Sequence, residues 1–150
     1  MRIVSSPFFL LLFFVGASLE TVFSIKGTVS CQTKSEKWCY TIDLLELDDN
    51  VISHDRVAQV YRCRSGSVTE SFRLEGYETW DGLFDENYEV GVWVRHNCAS
   101  QNMGYMGSLG QVQMNQKFWR QDVRIDMNAH TIEHRNYSGY YTRGKHNNEN

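Results

Sequence analysis

The sequence predicts an all-β fold, an antiparallel sandwich of two sheets. Residues 88–95 alternate without a break: Tyr88, Val90, Val92 and Val94 against Glu89, Gly91, Trp93 and Arg95. That period of two marks a strand with one buried face. Strand-like segments recur at intervals of 10 to 20 residues with turn residues between them, and no segment sustains a helical period.

The elements follow in order. Residues 25–31 (IKGTVSC) carry β-branched side chains, and Gly27 marks a bulge or a close backbone approach. Residues 38–47 (WCYTIDLLEL) place Trp38, Tyr40, Ile42 and Leu44 on one face, ahead of a turn at Asp48-Asp49-Asn50. Residues 57–63 and 68–74 read as two strands of a hairpin around Ser65-Gly66. Residues 76–87 read as loop. After the 88–95 strand, residues 99–116 hold several Gly, Met, Asn and Gln and read as a long loop or mobile insertion. Val123, Ile125 and Met127 alternate in one more strand. Beyond His130 few apolar residues remain.

The N-terminus has the layout of a secretory signal peptide. Met1-Arg2 supplies positive charge, residues 8–15 (FFLLLFFV) are unbroken apolar, and Gly16-Ala17-Ser18 provides a small-residue exit. Ala17 fits as the cleavage point, Ser18 nearly as well, and Ser24 is the far bound. A spanning helix needs about 20 apolar residues, so no membrane span is expected. The expected organisation is a signal peptide at 1–17, a sandwich domain at 18–135 and a flexible tail at 136–150. The chain after the signal is one ordinary domain, long enough to bury a core.

Net charge is −3 and the basic residues are scattered, which argues against a nucleic-acid partner. Four cysteines, Cys31, Cys39, Cys63 and Cys98, lie in the secreted part. In an oxidising compartment they imply two disulfides. They lack the close pairs of structural zinc sites. Asn136-Tyr137-Ser138 is a glycosylation sequon.

An ordered series of short motifs carries a resemblance. Gly27-x-x-x-Cys31, Asp48-Asp49, Gly66, Phe72-x-Leu74-x-Gly76, His96-x-Cys98 and Arg124-x-Asp126 together resemble the nematode transthyretin-like family, over residues 25–127. The resemblance implies a secreted β-sandwich of transthyretin (prealbumin-like) type, with the second strand between the third and the 88–95 strand. That topology gathers all four sulfurs at one pole. It implies Cys39 with Cys63 in one sheet and Cys31 with Cys98 between sheets; Cys31 with Cys39 and Cys63 with Cys98 is the alternative. The sequence departs from the family at 98–118, at Met127-Asn128 where an Ile-Pro turn is usual, and after His130. The second sheet is therefore expected to be short of an edge.

Several constellations compete with a purely structural reading. His130-Thr131-Ile132-Glu133-His134 matches a zinc-protease pattern that requires both imidazoles on one helical face. It follows a strand here and reads as chance surface histidines. His96, near Cys98, reads as a strand-end histidine rather than a ligand, and His54-Asp55 as a polar turn. The related fold of hydroxyisourate hydrolase resembles this one but uses a first-strand histidine. None lies in residues 25–31, and Tyr141-Thr142-Arg143-Gly144 is a poor echo of its tail.

No enzyme, metal or cofactor is expected. Trp93, Arg95 and Glu89 share the polar side of the clearest strand. A tryptophan there either packs under a loop or anchors an interface, and Trp38, Trp80 and Trp119 pose the same choice. The expected function is recognition of an extracellular protein or cell-surface component through loops of the sandwich. Carriage of a small apolar ligand or lipid is the alternative.

Overall fold

In the computed structural model, residues 20–34, 37–47, 54–79, 87–98, 102–135 and 141–143 are described. The cleavage region up to residue 19, the Asp48-Asp49 turn, Trp80 and Asn136 lie outside them. The chain order is β1 (Thr21–Cys31), β2 (Trp38–Glu46), β3 (Asp55–Arg64), β4 (Val68–Glu78), β5 (Asn87–His96), β6 (Met103–Gln113), β7 (Phe118–Asp126), β8 (Thr131–Arg135) and β9 (Tyr141–Arg143).

These strands form two sheets, β4-β1-β7-β8-β9 and β3-β2-β5-β6. β2 lies between β3 and β5, antiparallel to both. The expected antiparallel sandwich is formed, with one parallel pair within it: β1 runs parallel to β7, from Val22 beside Phe118 to Ser30 beside Asp126.

The alternating residues fill the interior. Trp38, Tyr40, Ile42 and Leu44 of β2 meet Tyr88, Val90, Val92 and Val94 of β5, and none is more than 1 % exposed. Phe23, Ile25 and Val29 of β1 and Val123 and Ile125 of β7 close the core from the other sheet. Phe23 meets Tyr88 edge-on at 5.3 Å. Burying each such side chain is worth roughly 1.5–3 kcal/mol. Trp38, ambiguous in sequence, is a core residue whose indole N–H donates to Gly66 O at 2.8 Å. Trp119 packs partly buried against the same core.

Four further readings need correction. The 99–116 loop contains β6, paired to β5 along its length. Tyr105, Leu109 and Val112 of β6 face inward. Gly107 does too, because a Cβ there would meet Ile132 at 3.0 Å. The supposed 76–87 loop loses its ends to β4 and β5. The segments around Ser65-Gly66 are not a hairpin, since β3 and β4 belong to different sheets and Gly66, at φ 66°, turns the chain across. Finally, strands do follow His130. β8 pairs with β7, and β9, inside the segment read as a tail, pairs with β8. The sheet built from the late strands, β4-β1-β7-β8-β9, is therefore not short of an edge, contrary to expectation.

β1 also begins earlier than residue 25. Thr21 and Phe23 are fully buried, so chain upstream of Ile25 belongs to the sandwich.

The disulfides are Cys31–Cys98 and Cys39–Cys63. Cys31 and Cys98 are wholly buried, and their bond ties β1 of the first sheet to the end of β5 in the second. Cys39 and Cys63 sit directly opposite on β2 and β3, with Cα atoms 4.0 Å apart. At the same pole the Tyr40 hydroxyl donates to Glu70 of β4. Arg64 holds that carboxylate at 2.6 Å. Burial, and then the Glu70 carboxylate, push the Tyr40 phenol far up. Burial opposes the Glu70 charge, yet Tyr40 and Arg64 bring its carboxyl below the usual range.

Candidate functional site

The pleat turns Cys39, Thr41 and Asp43 of β2 outward. Their cross-strand neighbours define rows on the outer face of the second sheet. Tyr61, Thr41, Arg95 and Gly104 form one row, and Gln59, Asp43, Trp93 and Met106 the next. Tyr61 is 64 % exposed and Trp93 42 %. Among the described residues no loop covers Trp93. The Arg95 guanidinium lies over its ring, 4.9 Å from the centroid, a geometry that adds cation–π attraction.

Beneath these residues Asp43 is only 2 % exposed. Arg95 Nη2 donates to Asp43 Oδ2 at 2.9 Å, Gln59 Nε2 donates to Oδ1 at 2.5 Å, and Arg56 lies 3.9 Å away. A carboxylate desolvated to this degree needs such partners. Asp43 thereby fixes Arg95, and Arg95 fixes the indole. The alternation of residues 38–47 leaves Asp43 on the outward side of β2 but does not reveal its role, because the residues that bury it come from β3 and β5.

A depression of about 430 Å³ opens on this face, bordered by Tyr61, Thr41, Trp93, Arg95, Asn97 and Gly104. Cys39 N–H donates to Asn97 Oδ1 at 2.6 Å, which holds that side chain in place. The Tyr61 hydroxyl lies 3.1 Å from Cys63 Sγ. Of the residues singled out from sequence, Trp93 and Arg95 come together here. Glu89 stands further along the same strand, where Gln111 Nε2 donates to it at 2.8 Å, and it does not border the depression.

The histidines take other places. His130 sits in the turn between β7 and β8 at φ 51°. His134 is not a surface residue: it is buried on β8 beside Gln121 Nε2 at 2.9 Å. Burial holds its pKa below the usual value. With His130 in a turn and His134 on a strand, the helical zinc geometry is not formed. Among the described residues no cluster of three or more metal-ligating side chains occurs. His96 is 4 % exposed, and its ring packs 5.5 Å from that of His130 and 5.7 Å from that of Tyr105. Its Nδ1 accepts the Cys98 N–H at 3.2 Å, so the neutral ring carries its proton on Nε2. A metal on Nε2 would force that proton onto Nδ1 and break the bond. Burial, then the neighbouring His130, push the His96 pKa down to about 4. His54 directly precedes β3, as a turn residue would.

A family profile described as Caenorhabditis elegans protein of unknown function (DUF870) matches residues 26–138. The chain belongs to this family. Its match starts within β1 and runs past the end of β8, so it takes in both faces of the sandwich. An uncharacterized Caenorhabditis elegans protein, B0416.7, is 39 % identical over 82 residues, 55 % of this chain and 59 % of that protein. The chain thus spans about three-fifths of that relative's length. Among solved structures, an alternative pilotin from the type II secretion system of Vibrio cholerae is similar at a TM-score of 0.41 and 14 % identity, covering 69 % of this chain and 96 % of the pilotin.

Proposed function

We propose that this DUF870 protein is a secreted, non-enzymatic binding module that recognises an extracellular protein or cell-surface component. The recognising surface is the outer face of β3-β2-β5-β6 rather than the loops. One observation carries this reading: Trp93 and Arg95 are stacked and exposed on a rigid strand, anchored from below by a buried carboxylate. Aromatic and arginine side chains held in place before contact make strong interface anchors.

Secretion rests on the signal-like N-terminus and the two disulfides. Cleavage at Ala17 or Ser18 leaves β1 whole, whereas cleavage after Ser24 removes Phe23 from the core. Kinship with the nematode transthyretin-like proteins belongs to the same proposal. The position of β2 between β3 and β5 supports it.

The test is site-specific photo-crosslinking in the native extracellular fluid. A crosslinker at Met106, the cross-strand neighbour of Trp93, is expected to capture a defined component. One at Thr28, on the outer face of the first sheet, is expected to capture none. Equal capture from both positions, or none from Met106, contradicts the proposal. A small apolar molecule co-purifying with the protein, identified by mass spectrometry, supports the carrier instead.

A further inference from the structure

The dimensions of the depression come from the sheet itself. Tyr61 and Arg95 flank Thr41 in one cross-strand row. With strands about 4.8 Å apart, the two long side chains stand roughly 10 Å from each other over a small residue. Beyond Arg95, Gly104 keeps the edge of the indole clear, since even a Cβ there would sit 3.4 Å from Trp93 Nε1. The space is a shallow slot with an aromatic wall at one side and a tryptophan–arginine wall at the other.

The chemistry of the walls selects a ligand. A peptide anchor side chain needs a closed, desolvated pocket, and this slot is open to solvent. A saccharide ring has apolar C–H faces that pack on the electron-rich faces of aromatic rings, and an equatorial rim of hydroxyls. Tyr61 supplies such a face. Trp93 Nε1–H has no hydrogen-bond partner among the described residues and is a donor for a hydroxyl. Asn97 adds a fixed amide at the border. Charge completes the picture. Two guanidinium groups, Arg95 and Arg56, share the single Asp43 carboxylate. Cations therefore outnumber carboxylates around the slot, and Glu89 stands further along β5, outside it.

We infer that the slot binds a saccharide carrying an acidic group, stacked on Tyr61, with a hydroxyl accepting from Trp93 Nε1–H and the acid on Arg95. The inference rests on the proposed binding face and names its ligand class.

The full secreted protein is titrated with a heparin-derived hexasaccharide and with a neutral hexamer of N-acetylglucosamine, by calorimetry and tryptophan fluorescence. The acidic probe is expected to bind about tenfold more tightly, with the preference shrinking as salt rises. Tyr61→Ala and Trp93→Ala each lower affinity for both probes by about tenfold, and Tyr61→Phe retains it. Arg95→Gln abolishes the preference for the acidic probe and Arg95→Lys keeps most of it. Thermal unfolding of each variant confirms that the sandwich is intact. Arg120→Gln, on the other sheet, changes nothing.

If neither probe binds, or if Arg120→Gln weakens the acidic probe as much as Arg95→Gln does, the saccharide inference is overturned. Should the Met106 crosslink to a protein component still form in that case, the binding face survives without its saccharide ligand. Loss of both removes the face as well.

Discussion

The sandwich turns two outer faces to solvent, and they are built on different principles. On the first sheet, across β4, β1, β7 and β8, charges answer one another at the surface: Lys26 with Asp122 at 3.6 Å, Arg73 with Glu75 at 2.5 Å, and Arg124 with Glu133 at 4.0 Å. Both partners of each pair are well exposed. On the second sheet the Asp43 carboxylate is buried, two arginines and a glutamine converge on it, and a tryptophan is stacked on top. Exposed pairs keep a surface soluble and cost nothing to lose. A buried charge with a fixed shell costs stability and holds a geometry, which is what a binding surface requires.

The largest expected effect tests that contrast directly. Arg95→Ala strips the buried Asp43 carboxylate of its nearest cation and is expected to destabilise the fold by about 3 kcal/mol in denaturant unfolding. A loss under about 1 kcal/mol would erase the difference between the faces.

Acid gives the next effect. The folded protein keeps His96 neutral down to about pH 4, whereas an unfolded histidine takes up its proton near pH 6.5. Between those values the unfolded state binds more protons, so stability is full above pH 6.5 and falls as pH drops. At pH 5 the loss from His96 is on the order of 2 kcal/mol. His134 works in the same direction. His96→Phe is expected to flatten the unfolding free energy measured against pH. An unchanged slope would mean that the ring is not neutral in the core.

Much of the fold was legible in the sequence wherever apolar alternation carried it. β2, β5 and β7 declare themselves because large side chains occupy every second position. β6 was hidden because Gly107 takes an inward position against Ile132, where an apolar side chain would have shown the period. A register shift opposite Val90 and Gly91, with Gly110 at φ 116°, then breaks the alternation. β8 was hidden because Thr131 and His134 are polar yet buried. The Ser65-Gly66 turn looks the same whether its strands pair or part into two sheets, and parallel pairing of β1 with β7 joins residues some 95 positions apart. Of the site, Trp93 and Arg95 stood out by their period. Tyr61 and Asp43 did not, since their meaning comes from neighbours on other strands.

The disulfides sharpen the comparison further. Cys39–Cys63 belongs to the outer face of the second sheet, whereas Cys31 and Cys98 are fully buried. Under mild reductant followed by alkylation, Cys39 and Cys63 are expected to be labelled first, as read by peptide mapping. Simultaneous labelling of all four would show that the buried bridge opens with the exposed one.

The smallest effect is a near-zero. Asp122→Ala removes a surface partner of Lys26 and is expected to change stability by no more than about 0.5 kcal/mol. A larger loss, measured by the same denaturant unfolding, would show that the first face is held together as firmly as the second.

Exposed aromatic residues on both faces provide the most direct measurement of all. Tyr61 and Trp93 lie on the second sheet. Tyr77 and Phe118 lie at one end of the first, both beside Val22. Hydroxyl-radical footprinting of the protein, alone and in its native extracellular fluid, reads all four rings in one experiment. The account predicts that Tyr61 and Trp93 become protected in the fluid while Tyr77 and Phe118 are modified as before. Protection of Tyr77 and Phe118 with Tyr61 and Trp93 still reactive would place the binding surface on the other sheet and contradict it.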